Sequence, residues 1–157
     1  MPAMQKLRVL SAVLLASALG LQACGSDSNE STQPPLESEA KVVDLLVKQS
    51  ETILGQPFEY PSSGTPEITS TVLTLQPGEE TGWHHHDAPL VAYVLEGSLQ
   101  VEYGDNGADG VRIYEAGEAL VEAFRTTHNG TNIGDIPVRI HVTNIGAAGT
   151  DNTVMDD

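Results

Sequence analysis

Short runs of alternating hydrophobic and polar residues fill positions 41–149, and clusters of Gly, Pro, Asn and Asp separate these runs. Alternation with a period of two is typical of β-strands that bury one face. Many short strands at this spacing indicate a barrel or a sandwich, so the pattern predicts an all-β domain. The predicted strands are residues 41–48, 67–75, 91–95, 99–103, 111–114, 119–123 and 138–145.

The first predicted strand has an alternative, because residues 42–53 also fit a short helix. No segment keeps a sustained helical period, so we predict a strand there. The length of residues 41–149 is normal for one domain and too short for two hydrophobic cores.

The first 23 residues have the layout of a signal peptide. Lys6 and Arg8 precede an apolar run at residues 9–21, which is shorter than a membrane-spanning helix requires. The run ends in Leu21-Gln22-Ala23-Cys24, which resembles a bacterial lipobox, so we expect lipidation of Cys24. An ordinary secretory peptide with an incidental cysteine is the alternative. By resemblance to lipoproteins of diderm bacteria, the glycine after Cys24 favours the outer membrane of the cell envelope.

Polar segments flank the predicted domain on both sides. Residues 24–40 are rich in Ser, Glu, Pro and Asn and predict a disordered tether, because they contain little to bury. Residues 150–157 predict an acidic C-terminal tail. Cys24 is the only cysteine, so no intrachain disulfide can form.

The formal net charge of −15 bears on the partners of the protein. Cleavage before Cys24 removes Lys6 and Arg8 and no acidic residue, which changes the net charge to −17. An acidic surface disfavours nucleic acid and anionic headgroups. We therefore expect a small-molecule ligand as partner and membrane attachment through the lipid anchor only.

A histidine triplet, His84 to His86, lies within a spaced set of residues that resembles the first motif of the cupin superfamily. The family pattern is Gly, His, His, Glu and Gly. The corresponding residues are Gly78, His84, His86, Leu90 and Gly97. The second motif has Gly, Pro, Gly, His and Asn. Its counterparts are Gly117, Ala123, Arg125, His128 and Asn132. The resemblance covers residues 69–142.

The resemblance to cupins implies a single-domain jelly-roll β-barrel with a metal inside. Residues two apart on a strand share a face, so His84 and His86 point inward together and His85 points away. The second motif brings His128 to them. Imidazole suits divalent transition metals, and Fe, Zn, Mn, Ni and Cu all remain candidates.

Leu90 departs from the pattern at the position of the glutamate ligand, and leucine cannot bind a metal. We expect a three-histidine site that favours an anionic ligand and keeps coordination positions open. Some cupin dioxygenases resemble this arrangement. A cupin that has lost its metal is the alternative.

Other residues are predicted around this site. We expect four apolar side chains to line the pocket, namely Leu90, Ala92, Val94 and Phe124. Glu122 is a candidate carboxylate ligand or base, against an ordinary exposed glutamate. His141 is a candidate cavity group, against a solvent-facing role.

Several functions fit this pattern, because one fold hosts many chemistries. The first is a metal-dependent enzyme on a small organic molecule, most concretely a three-histidine non-haem dioxygenase. A cupin isomerase or lyase is a related possibility. The alternative is a non-catalytic module that binds a metal or a small ligand at the cell envelope. Whether the protein is an enzyme stays open, and resemblance to single-domain cupins indicates a homodimer as one possible assembly.

Overall fold

The computed structural model describes residues 40–156, and Lys41–Asp157 form one compact unit. The predicted signal peptide at residues 1–23 and the tether up to residue 39 lie outside the described residues. In the described part of the chain, no helix is long and apolar enough to cross a membrane.

Nine β-strands make up nearly all the regular structure of the described residues, together with a one-turn 3₁₀ helix at Asp105–Gly107. The strands are β1 Pro66–Leu75, β2 His84–His85, β3 Leu90–Glu96, β4 Ser98–Tyr103, β5 Gly110–Glu115, β6 Ala119–Val121, β7 His128–Asn132, β8 Val138–Ala147 and β9 Val154–Met155.

The strands form two antiparallel sheets. The four-stranded sheet has the order β1-β8-β3-β6, and the five-stranded sheet has the order β5-β4-β7-β2-β9. Consecutive strands often lie in different sheets, which wraps the chain around one interior. The all-β prediction is therefore confirmed.

The core lies between the two sheets, and each sheet contributes fully buried side chains to it. Val94 and Val138 come from the four-stranded sheet, and Val101 and Tyr103 come from the five-stranded sheet. The turn from β3 to β4 passes close to this core at Gly97, whose φ is +79°. A Cβ atom there would lie 2.8 Å from a methyl group of Val138, so both the conformation and the space require glycine.

The predicted strand at residues 41–48 is wrong, and the alternative helix is absent too. β-branched residues there suggested a strand, but a strand needs a partner edge. This segment instead passes over the outer face of the four-stranded sheet and leaves Val42 and Val43 exposed. Lys48 has a φ of +49°, which ends the extended conformation.

The hydrophobic pattern of the sequence did not predict three of the strands, namely β2, β7 and β9. β2 and β9 have two residues each, and β7 consists of His-Asn-Gly-Thr-Asn, which has little β propensity. β7 is nevertheless a strand because β4 and β2 pair with its two sides. β9 lies inside residues 150–157, so the segment predicted as an acidic tail contributes a strand to the sheet.

Candidate metal centre

Three buried histidines meet at one end of the space between the sheets. His84 on β2 pairs directly with His128 on β7, and His86 follows β2 in the chain. The ring centroids of His84 and His128 are 4.4 Å apart, and each lies 5.0 Å from the ring of His86. Nitrogen atoms of the three rings lie within 4.8 Å of one another, so a small ring movement would bring all three to one cation.

Backbone carbonyl groups fix the orientation of all three rings. Nδ1 of His84 donates to Gly82 O (2.8 Å), and Nδ1 of His86 donates to Asn152 O (2.7 Å). Nδ1 of His128 donates to Thr126 O (2.9 Å). A carbonyl oxygen can only accept, so each Nδ1 carries the proton. Each Nε2 then keeps a free lone pair, which is the form of imidazole that binds metals.

Burial also keeps two of these rings, those of His84 and His86, neutral. Desolvation lowers the pKa of His84, and it lowers the pKa of His86 from 6.5 to about 4. The hydrogen bonds to Gly82 and Asn152 oppose this effect but are weaker. At neutral pH both side chains are therefore uncharged ligands that need not lose a proton to bind a cation.

The donor set fits a divalent transition metal on this structure. Imidazole nitrogens suit Zn, Cu, Fe and Ni, and each of the three rings uses Nδ1 rather than Nε2 for its hydrogen bond to the backbone. The cluster could therefore hold a divalent metal, and its identity stays open. The role of His84, His86 and His128 as ligands remains a prediction that this geometry supports.

A cavity of about 240 Å³ adjoins the histidines, and its walls are mainly apolar. Leu90 and Ala92 line it as predicted, but Val94 and Phe124 do not. Val94 is fully buried in the hydrophobic core. Phe124 lies in the loop between β6 and β7, where Arg125 stacks on it at 4.9 Å outside the cavity.

Glu122 provides the only carboxylate among the described residues that line this cavity. It directly follows β6 and is buried, with Oε2 4.0 Å from Nε2 of His128. Its Oε1 accepts from the backbone amide of Ala123 (2.7 Å). The carboxylate is therefore near the histidines but outside the three-residue cluster. The alternative of an exposed strand glutamate is wrong.

His141 lies away from the site. It is exposed on the outer face of β8, where Nε2 and Ser70 Oγ are 2.7 Å apart. The prediction of a cavity group at His141 is therefore wrong, because the alternate positions Ile140 and Val142 line the cavity instead. His85 does point away from the cluster, but it is only partly exposed, since Nδ1 contacts Asp156 Oδ1 at 2.7 Å.

The sequence pattern missed the C-terminal segment as a part of the site. Asn152 accepts the hydrogen bond of His86, Thr153 lines the cavity, and Asp156 contacts His85. Nothing in an acidic segment at the end of the chain signals these contacts. Asn144 was also missed, although alternation along β8 places it on the same face as Ile140 and Val142.

Two tyrosines pack behind the cluster. The hydroxyl groups of Tyr103 and Tyr114 are 3.0 Å apart, and the ring of Tyr103 lies 5.8 Å from that of His128. Burial, with a smaller effect of the Glu122 carboxylate, raises the pKa of Tyr103. Burial raises the pKa of Tyr114 to about 12. Both hydroxyl groups thus stay protonated at neutral pH.

Comparison with known proteins shows which family model part of this chain matches. A family model described as "Cupin domain" matches residues 71–144, a segment that runs from β1 to β8 and contains all three histidines. This match and the two antiparallel sheets confirm the predicted fold class, an all-β jelly-roll cupin. No curated protein matches the chain.

Several solved structures are similar to this chain. A formate complex of Lactobacillus farciminis oxalate decarboxylase is 22% identical, with a TM-score of 0.47, and the match covers 56% of this chain and 26% of that chain. Bacillus subtilis oxalate decarboxylase, in a structure concerned with its Mn(II) centres, is 24% identical with a TM-score of 0.48 and coverages of 59% and 24%. A Bacillus halodurans protein is 22% identical with a TM-score of 0.48 and coverages of 56% and 69%. The chain spans about a quarter of the length of the two decarboxylases.

Proposed function

We propose that this protein is a metal-binding cupin that acts on a small organic molecule at the cell envelope, where a lipid on Cys24 anchors it. The observation that carries the proposal is the set of three Nδ1 hydrogen bonds to backbone carbonyl groups. They leave three Nε2 lone pairs beside one cavity. Buried histidines that only served packing would not need their rings held in the same tautomer.

The residues around the cavity divide the work of binding. His84, His86 and His128 would hold the cation, which would supply Lewis-acid or oxygen chemistry according to its identity. Neutral ligands leave the positive charge of the cation uncompensated, which favours an anionic small molecule. Leu90, Ala92 and Leu120 form an apolar wall, which strengthens the electrostatic attraction between the cation and the bound anion. Glu122 can accept a proton from the bound molecule at its Oε2 atom.

A three-histidine dioxygenase is the most concrete enzyme of this kind, and an isomerase or lyase would use the same residues. A non-catalytic binding module is the second candidate. Leu90 favours it, because the buried leucine at the usual glutamate position removes one ligand that could tune the metal. Glu122 favours the enzyme, because a buried carboxylate 4.0 Å from a candidate ligand is in place for proton transfer.

Elemental analysis of the purified full-length chain tests metal binding. We expect near-stoichiometric metal in the wild type and none in the His84→Ala, His86→Ala double variant. His141→Ala is the matched control, because it removes an exposed histidine from the same protein and should keep the metal. Absence of metal in the wild type after reconstitution with Fe²⁺, Mn²⁺, Zn²⁺, Ni²⁺ and Cu²⁺ would contradict the proposal.

Oxygen uptake separates the two candidates. A dioxygenase in its iron-loaded form consumes oxygen with its substrate, and Glu122→Gln should lower the rate while the metal stays bound. A binding module shows ligand-dependent thermal stabilisation without turnover. Retained turnover in Glu122→Gln would remove the proton-transfer role of that residue.

The membrane anchor is a separate part of the proposal. Cys24→Ala should abolish lipid incorporation and move the protein from the membrane fraction to the soluble fraction. In a diderm host, wild-type protein should sediment with the outer membrane. An unmodified Cys24 in mass spectra of the mature protein would contradict lipidation and favour an ordinary secretory peptide.

A further inference from the structure

Asn144 is a buried polar residue in the apolar wall of the cavity. It lies on β8, is 6% exposed, and lines the cavity next to Val142. Its Oδ1 atom is buried and has no hydrogen-bond partner within the described part of the chain. A buried acceptor without a partner is unfavourable for folding, so its presence in this wall calls for a reason outside the fold.

Asn132 shows what a structural asparagine looks like in this protein. It is also fully buried, and its Nδ2 atom donates to Leu75 O and Ile136 O, each at 2.9 Å. Its Oδ1 atom accepts from the backbone amide of Gly134, also at 2.9 Å. The side chain of Asn132 therefore forms hydrogen bonds with three backbone groups, whereas Oδ1 of Asn144 forms none.

The position of Asn144 is fixed by strand pairing. Leu90 on β3 pairs with Asn144 on one side, and on the other side its carbonyl accepts from the amide of Glu122. Glu122, Leu90 and Asn144 thus form a row across three strands, two strand spacings or about 10 Å long. Glu122 at one end is 4.0 Å from His128, so the row lies at the histidine end of the cavity.

The wall of the cavity includes exposed residues of β1. Thr71 and Leu73 line it from β1, the edge strand that pairs with β8, and both are exposed. A molecule that enters past β1 meets the wall formed by β8 before it reaches the histidines. The cavity volume of about 240 Å³ restricts the bound molecule to compounds smaller than typical drug-sized ligands.

We infer that Asn144 accepts a hydrogen bond from the bound molecule and selects short hydroxycarboxylic acids. This inference rests on the proposed function, since the carboxylate of the ligand pairs with the cation. The hydroxyl group at the other end supplies the hydrogen that Oδ1 lacks. A site with a buried amide oxygen discriminates against an analogue that replaces the hydroxyl with a methyl group, because the oxygen then stays unpaired.

Calorimetric titration of the Zn²⁺-loaded full-length protein tests this inference. The probes are hydroxycarboxylates with a terminal hydroxyl, from glycolate to 5-hydroxypentanoate, each paired with the acid in which a methyl group replaces that hydroxyl. For at least one chain length, the wild type should bind the hydroxy acid about tenfold more tightly than its counterpart. The Asn144→Leu variant, which has nearly the same shape, should lose this preference and still bind Zn²⁺.

Thermal unfolding of the metal-free variants gives a second reading. Asn144→Leu removes an unpaired buried acceptor, so its Tm should equal or exceed that of the wild type. Asn132→Leu removes three hydrogen bonds and should lower the Tm or prevent folding. A large loss of Tm in Asn144→Leu would show a structural residue and overturn the inference.

The outcomes separate this inference from the proposed function. If the wild type does not bind Zn²⁺ or another divalent metal, the proposed function fails and this inference fails with it. If Zn²⁺ binds but no hydroxy acid is preferred over its methyl-ended counterpart, or no acid binds, only the assignment of Asn144 is overturned. If Asn144→Leu keeps the preference, another residue selects the ligand.

Discussion

The two sheets face the same cavity but contribute different chemistry to it. The five-stranded sheet supplies His84 and His128 from paired positions on β2 and β7, and their rings are fixed by the backbone. The four-stranded sheet supplies an apolar wall that is interrupted by Asn144, with Glu122 at the end of β6. One sheet could thus hold a cation, and we propose that the other selects what binds to it. The two tasks can change independently.

The largest effect is expected when a carboxylate that can bind the metal is introduced into the four-stranded sheet. Leu90→Glu buries a charge beside Glu122 and should lower the free energy of unfolding of the metal-free protein by roughly 3 kcal/mol. Zn²⁺ should restore more stability than it adds to the wild type, because the carboxylate then has a cation. Denaturant unfolding with and without Zn²⁺ measures both effects.

Leu120→Glu is the control for that experiment, because Leu120 lies on the same wall one strand away. It should be destabilised similarly but gain less from Zn²⁺. Equal recovery of both variants would show that position 90 has no special relation to the metal.

Acid should weaken the five-stranded side selectively. The pKa of His86 is lowered from 6.5 to about 4 by burial, so between these pH values the unfolded chain binds more protons than the folded chain. The free energy of unfolding of the metal-free protein should therefore fall as the pH decreases from about 6.5 to 4, by about 3 kcal/mol. The measurement is urea unfolding across this pH range.

His86→Gln should flatten this pH dependence, whereas the exposed His141→Gln should leave it unchanged. An undiminished slope in His86→Gln would place the responsible proton on another group.

Removal of β9 should lower the metal affinity of the three-histidine cluster, with a smaller effect than the substitutions above. A chain that ends at Asp151 loses the Asn152 carbonyl that orients His86, and it loses the pairing of β2 with β9. Loss of a group that orients a ligand typically lowers metal affinity 10- to 100-fold. Competition with a chromogenic chelator measures this affinity. Asp156→Ala, which loses the contact with His85 but keeps the Asn152 carbonyl, should retain affinity close to that of the wild type.

The smallest expected effect lies in the loop that joins the two sheets. Arg125 has a φ of +53°, which favours glycine, and it also forms an ion pair with Asp87 (Nε to Oδ1, 3.1 Å). Arg125→Gly relieves the first and loses the second, so the free energy of unfolding should change by no more than about 1 kcal/mol. Arg125→Ala keeps the strain and loses the ion pair, so it should be less stable than Arg125→Gly in denaturant unfolding. Equal stability of the two variants would contradict strain at this residue.

The histidines of the candidate site could be predicted from the resemblance to the cupin motifs, and local spacing predicted which side chains share a face. His84 and His86 are two residues apart, and alternation on β8 separates His141 from Ile140 and Val142. Alternation does not decide which face of β8 points into the cavity. Pairing with β1 and β3 orients the strand so that Ile140 and Val142 point inward. Val94 shares the alternation of Ala92 but does not line the cavity, because periodicity gives the face of a strand and not how far the cavity extends along it.

The missed elements depend on partners far along the chain. β7 has a polar sequence and becomes a strand only between β4 and β2, while residues 41–48 have a strand-like sequence and find no edge. Asn144 and Asn132 look alike in the sequence. Only the positions of backbone groups from other strands distinguish the bonded side chain from the one with an unpaired oxygen.

The hydrogen bond from His86 to Asn152 also sets an order of events during synthesis. These residues are 66 positions apart, so the ribosome releases His86 long before the carbonyl group that orients it. A nascent chain therefore carries all three histidines without the arrangement that distinguishes them from ordinary surface imidazoles. Under the proposed function, capture of the metal would be a late step, because it would require that β9 has already paired with β2.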